Sequence, residues 1–308
     1  MLKAHLINRS RAAGLGGKLL LRNVFGLLMA LASTAGTISQ ASAASLTITR
    51  SGCVATITWT NAADVLETNS TLGRATWAPV TGASSPFSVS VCSTGLNFYR
   101  LNLRGGGTNY SDNVGYINVA VPRGFTLIAN QVNNLPDNTI KSLFPVGKTA
   151  DLTVVYKFDN NLGGFSSDQI ADGTWSAGGG ATLNPGEGAF IFTMVPFTAT
   201  FVGEVKLSST VSVPLGFSIV SSVIPQEGAL YDIAAPGDGN IDLQYGVPTA
   251  QQPFYQFNNG LGGYISYQFS GSWSSQPGPV LKVGESFFTF GSGAGPHTWT
   301  RHFVVGPP

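Results

Sequence analysis

Histidine, cysteine and charge are all scarce in this chain. Its 308 residues hold three histidines, two cysteines and three methionines, and only 10% carry a formal charge. Each shortage removes a class of function. Without a cluster of Lys and Arg there is no electrostatic footprint for a polyanion, so nucleic acid is not an expected partner. His297 and His302 sit at an odd spacing that sends them to opposite faces of a strand, which does not suit a shared metal. A Gly-x-Ser-x-Gly elbow is missing, and with it the usual setting of a serine nucleophile. Past the N-terminal segment no capped run carries apolar residues at i, i+3, i+4 and i+7, so helices are not expected. Nor does any apolar run there reach the roughly 20 residues that span a bilayer.

What is present begins with an unusual N-terminus. Residues 1–43 contain Lys3, Arg9, Arg11, Lys18 and Arg22 and no acid, then an apolar stretch around Val24 to Leu31, then Ala41-Ser42-Ala43 ahead of Ala44. A basic region, a short apolar region and a small-residue cleavage site form, in that order, a secretory signal. The expectation is export to the extracellular space, cell surface or periplasm, with a mature chain from Ala44; an uncleaved anchor is the competing reading. Removing the signal leaves 11 basic against 15 acidic side chains, a net charge of −4. Cys53 and Cys92 then meet an oxidising environment and are expected to pair. Closing a loop of about 40 residues is worth on the order of 4 kcal/mol in the chain-entropy model.

Abundant Gly, Ser, Thr, Val and Phe favour strands joined by turns. Residues 114–205 and 208–305 also read as two copies of one unit. Val119-Ala-Val-Pro-Arg-Gly-Phe125 returns as Val211-Ser-Val-Pro-Leu-Gly-Phe217, and Asn160-Asn-Leu-Gly-Gly-Phe165 returns as Asn258-Asn-Gly-Leu-Gly-Gly-Tyr264. Gly173-Thr-Trp175 matches Gly271-Ser-Trp273, and Gly186-Glu187 with Phe190 and Phe192 matches Gly284-Glu285 with Phe288 and Phe290. A period near one hundred residues is domain-sized, well above the roughly 20–50 of a solenoid. The Pro-x-Gly steps interrupt a strand pattern and are expected to bend the chain.

Residues 44–104 alternate as short strands between polar turns. Leu46-Thr-Ile-Thr, Ile57-Thr-Trp59, Leu66-Glu67, Thr76-Trp77-Ala-Pro-Val80 and Phe98-Tyr-Arg-Leu101 resemble the compact fibronectin-III/immunoglobulin-like module of large secreted and surface proteins of environmental bacteria. That resemblance implies a small β-sandwich. The repeats, through Pro185-Gly-Glu-Gly-Ala-Phe190 and Thr298-Trp-Thr-Arg-His-Phe303, resemble β-rich units found beside such modules, which implies no enzyme activity. The expected fold is all-β: a sandwich at 44–104, a Gly-rich linker at 105–113, and two tandem homologous β-sandwich-like domains at 114–207 and 208–308.

Three constellations compete with plain turn and core roles. Trp175, Trp273, Trp299, Tyr264 and Tyr267 are candidates for an aromatic platform under sugar rings; filling small β-cores is the alternative. Asp238, Asn240 and Asp242 place oxygen ligands at i, i+2 and i+4 like the start of a calcium loop, but the twelfth position is Thr249 rather than an acid. Glu187 and Glu285 would serve glycoside hydrolysis if they shared a cleft about 5–10 Å apart; turn carboxylates accepting backbone N–H groups are the alternative. No catalytic set or cofactor is expected, calcium being the one candidate ion. The sequence expectation is an exported, non-catalytic β-protein with a structural, adhesive or protein-interaction role, its partners surface proteins or polysaccharide. Carbohydrate binding through the Trp/Tyr set is second, and a secreted hydrolase third.

Overall fold

The alternating segments after the N-terminus form β1 (Thr47–Ser51), β2 (Val54–Thr58), β3 (Val65–Asn69), β4 (Ala78–Pro79), β5 (Phe87–Ser90) and β6 (Leu96–Asn102) in a computed structural model. It describes residues 45–72, 77–93, 95–103, 109–234, 242–303 and 305. The expected signal, 1–43, lies outside them. β1, β2 and β5 make one antiparallel sheet, and β4, β3 and β6 begin another. Period-two alternation sets their faces, so Ile48, Ala55, Ile57, Leu66, Tyr99 and Leu101 converge on one core between the two sheets. Cys53 and Cys92 form the expected disulfide, tying the β1–β2 turn to the end of β5.

The first copy follows as β7 (Asn113–Val121), β8 (Gly124–Ala129), β9 (Asn133–Asn134), a single helical turn α1 (Ile140–Leu143), β10 (Val154–Asp159), β11 (Gly164–Ala171), β12 (Thr174–Trp175), β13 (Gly188–Thr193) and β14 (Phe197–Val205). β6 pairs antiparallel with β7, so one six-stranded sheet, β4-β3-β6-β7-β14-β9, runs through both the N-terminal segment and the first copy. The stretch expected as a linker is described from residue 109, where it returns alongside β6. Tyr110 bridges to Asn102, the Ser111 N–H donates to the Leu101 carbonyl at 3.0 Å, and the Tyr110 ring lies 3.6 Å from the Arg100 guanidinium. Arg100 is itself buried and paired with Glu67 at 2.9 Å.

The six-stranded sheet is the middle of three layers. Val114, Tyr116 and Val202 on one face complete the N-terminal core, while Ile117, Val121, Ala199, Phe201 and Val205 on the other fill the core of the first copy. That second core is closed by the five-stranded sheet β12-β11-β10-β13-β8. Close approach is built in with glycine: Gly115 and Gly203 are register partners, and a Cβ on Gly115 would stand 2.6 Å from the Phe98 ring.

The second copy comprises β15 (Ser208–Val213), β16 (Gly216–Val220), β17 (Gly228–Ala229), β18 (Pro253–Asn258), β19 (Gly263–Gln268), β20 (Val280–Leu281), β21 (Phe287–Gly291) and β22 (His297–His302). Its pairings repeat those of the first. β15 pairs with β22 as β7 pairs with β14, and β16-β21-β18-β19 follows the order of β8-β13-β10-β11. The duplication is thus one of topology as well as sequence. Gly124 and Gly216 take positive φ, 98° and 81°, at the Pro-x-Gly bends. One alignment needs correction: Asp159 pairs with Gly164 and Asn258 with Gly263, so Asn160 corresponds to Asn259, not to Asn258. Among the described residues no helix is long and apolar enough to cross a membrane.

Replacing both Cys53 and Cys92 by Ser is expected to lower unfolding free energy by about 4 kcal/mol, from the loop the bond closes. Urea denaturation followed by tryptophan fluorescence checks it. Because the middle sheet contributes to both neighbouring cores, the loss should appear in a single transition, not as separate melting of residues 45–103.

Candidate functional site

A strand half buried on one side shows one apolar face, but these strands are apolar on both. In β13, Ala189-Phe190-Ile191-Phe192 has no polar parity at all, the mark of a sheet covered twice. Ile191, Val155 and Ile128 face the core of the first copy. On the opposite face Tyr156, Phe190 and Leu127 form one cross-strand row, with Phe192–Phe125 and Phe158–Phe165 beside it. The second copy repeats the rows as Tyr255, Phe288 and Ile219, with Phe290–Phe217 and Phe257–Tyr264.

These two aromatic faces meet, related by an approximate two-fold axis, so several of the contacts occur twice. Phe158 reaches Phe288 at 5.2 Å between ring centroids, and the equivalent Phe257 reaches Phe190 at 5.4 Å, both edge to face. Such pairs contribute about 0.5–1.5 kcal/mol beyond the area they bury. The polar contacts obey the same exchange. The Asn160 amide donates to the Leu215 and Phe217 carbonyls at 2.8 and 2.7 Å, while the Asn259 amide donates to those of Arg123 and Phe125 at 2.9 and 2.8 Å. Ala129 N–H donates to Gly284 O at 2.8 Å, and Ser221 N–H to Gly186 O at 3.0 Å. Glycine is required at the last pair: a Cβ on Gly284 would lie 2.2 Å from Val119, and one on Gly186 3.0 Å from the equivalent Val211. The outer edges of β8 and β16 are thereby covered by the other copy, which blocks further strand pairing there.

Between the faces lies a cavity of about 350 Å³ lined by Phe125, Tyr156, Phe165 and Phe190 of the first copy and Phe257 and Tyr264 of the second. Its mouth is apolar, with Phe125 41%, Phe165 49% and Tyr264 48% exposed. Partial burial raises the Tyr264 phenol above its ordinary pKa.

The sequence candidates fall elsewhere, with one exception. Trp175, Trp273 and Trp299 are 8%, 5% and 1% exposed, inside cores, and so offer no flat face to a sugar; the platform of five is corrected to Tyr264 alone at the seam. The Trp299 and Trp273 indole N–H groups donate to Leu243 O and Tyr231 O, and Tyr267 packs half-buried on the core of the second copy. Asp238 and Asn240 lie outside the described residues. Asp242 is fully buried and accepts from Gln244 N–H at 2.9 Å, so its carboxylate is engaged with its own chain. It also opposes the desolvation that lowers the buried Arg301 guanidinium to a pKa of about 10. Among the described residues no three His, Cys, Asp or Glu side chains gather as metal ligands would.

Glu187 accepts from Asn184 N–H at 2.9 Å and pairs with Lys157 at 2.8 Å; Glu285 accepts from Lys282 N–H at 3.0 Å. Both are turn carboxylates that close the bends ahead of β13 and β21. His297 stacks on Tyr245, at 4.3 Å between ring centroids. The seam residues missed as a site, chiefly Phe125, Tyr156, Phe165, Phe190 and Phe257, carried one readable signal: strands without a polar face. No family model, curated protein or solved structure matches the chain.

Asn259→Ala removes two hydrogen bonds at the joint, each worth about 1 kcal/mol or less at an exposed position. Asn259→Asp is expected to cost more than Ala at neutral pH, because a carboxylate there faces two carbonyl oxygens and has no proton to donate. Urea denaturation of the two variants at pH 7 gives the order, and Asn160 should behave likewise.

Proposed function

We propose that this chain is an exported, non-catalytic binding protein that acts through the surface its two copies build together. The observation that carries the reading is the exposed aromatic mouth of the seam. Apolar rings left half-exposed on one contiguous face are the usual mark of an interaction site. The bonded Cys53–Cys92 pair supports passage through an oxidising compartment, as does the basic-then-apolar N-terminal sequence. A non-catalytic role is supported by what the copies share, which is turn glycines, joint asparagines and core rings; the matched glutamates are spent on turns.

A polysaccharide is the weaker partner on the same observations. Trp175, Trp273 and Trp299 sit inside cores, and the cavity lining has phenol hydroxyls as its only side-chain polar groups. A pyranose brings several hydroxyls, each costly to desolvate without a partner.

The mature chain, residues 44–308, is expected to associate saturably with the envelope fraction of its source cells. A Phe165→Ser/Tyr264→Ser variant of unchanged circular dichroism should associate about tenfold less tightly, the equivalent of ~1.4 kcal/mol. Equal association by the variant would remove the seam from the account. Turnover of glycoside, ester or peptide substrates that vanishes in Glu187→Gln or Glu285→Gln would replace binding with catalysis.

A further inference from the structure

We infer that the cavity between the copies is a binding site for an uncharged, planar, fused-ring aromatic molecule. This rests on the binding reading above and names the class of ligand. Size is the first argument. An enclosed apolar cavity of roughly 150 Å³ accepts one benzene; this one, of about 350 Å³ and open at its mouth, has room for about two or three fused rings with one edge left in water.

The lining selects the chemistry. Six aromatic side chains surround the space, none of them charged. A charged ligand would lose its hydration there without gaining a counter-charge. A flat aromatic gains more than a saturated one of equal size, because the rings already present edges and faces in turn. Phe190 stands at 86° to Phe125, at 90° to Phe257 and at 75° to Tyr264.

The approximate two-fold supplies an internal comparison. In the second copy Phe217 lies flat on Phe288, with centroids 5.1 Å apart and planes within 5°. The equivalent pair in the first copy, Phe125 and Phe190, is 6.1 Å apart and edge-on, and both rings line the cavity. The second copy covers the Phe288 face with its own Phe217, whereas the first leaves its equivalent rings edge-on beside the cavity. The cavity also continues the interface between copies, since four of its rings come from one copy and two from the other. A ligand seated there bridges them.

The test is a fluorescence titration of the mature chain with N-phenyl-1-naphthylamine, a neutral bicyclic probe. Saturable one-site enhancement is expected, with a rise in melting temperature and displacement by naphthalene but not by its saturated counterpart decalin. Phe165→Leu keeps an apolar side chain but removes a ring, and is expected to weaken the probe by about tenfold. Phe290→Leu removes an exposed ring outside the cavity and should bind as the unaltered chain does. Non-saturable enhancement, equal binding by Phe165→Leu, or displacement by decalin as effective as by naphthalene would overturn the assignment. So would displacement by a short Phe-containing peptide at lower concentration than naphthalene, which would make the site a docking pocket for a partner's side chain. Envelope association that persists when probe binding fails removes the ligand and leaves the binding reading; loss of both removes the reading too.

Discussion

Each copy builds a sheet whose two faces are both apolar, and its own chain covers only one of them. In the first copy Val155 and Ile191 are covered by the layer of β7 and β14, which leaves the opposite face, with Tyr156, Phe158 and Phe190, without a covering layer from that copy. The second copy has the same unmet need with the same shape. Pairing like faces about an approximate two-fold axis satisfies both at once, as in an isologous dimer interface, because the equivalent contacts are made twice. This constraint accounts for what the duplication retains. Asn160 and Asn259, Gly186 and Gly284, Phe158 and Phe257, and Phe190 and Phe288 are all residues of the joint, where a change on one side loses a contact on the other.

Local signals were legible in the sequence. Period-two alternation and turn glycines announced an all-β chain, the copies announced themselves, the cysteines paired, and Gly124 and Gly216 took the positive φ that a Pro-x-Gly bend needs. Non-local relations were not. Nothing in residues 96–121 states that β6 and β7 share a ladder, because strand pairing depends on which edges are left open once the layers assemble. The tryptophans misled for a related reason: an aromatic residue on a strand has a parity but no sign telling which parity faces water. The hairpins misled by one position, since Asn-Asn-Leu-Gly-Gly and Asn-Gly-Leu-Gly-Gly look alike until the ladder fixes Asn160 against Asn259. The seam itself was legible in principle from β13, whose Phe190 and Phe192 alternate with Ala189 and Ile191 and leave no polar face.

The proposed binding surface rests on an imperfection in the symmetry. Perfect closure would bury every ring, yet Phe125, Phe165 and Tyr264 remain at the mouth of a cavity that both copies line. Where the second copy stacks Phe217 on Phe288, the first sets its equivalent rings edge-on and farther apart. A difference between the copies at this point leaves the fold intact, because it is still held by the contacts that are alike in both.

A double-mutant cycle on Phe158 and Phe288 tests most directly whether the copies are held together by their aromatic faces. The rings meet only across the joint, at 5.2 Å. Phe158→Ala, Phe288→Ala and the double variant, compared by urea denaturation, should show a coupling energy of about 1 kcal/mol. Strictly additive losses would mean that the faces do not pack on each other in solution, and would contradict the account.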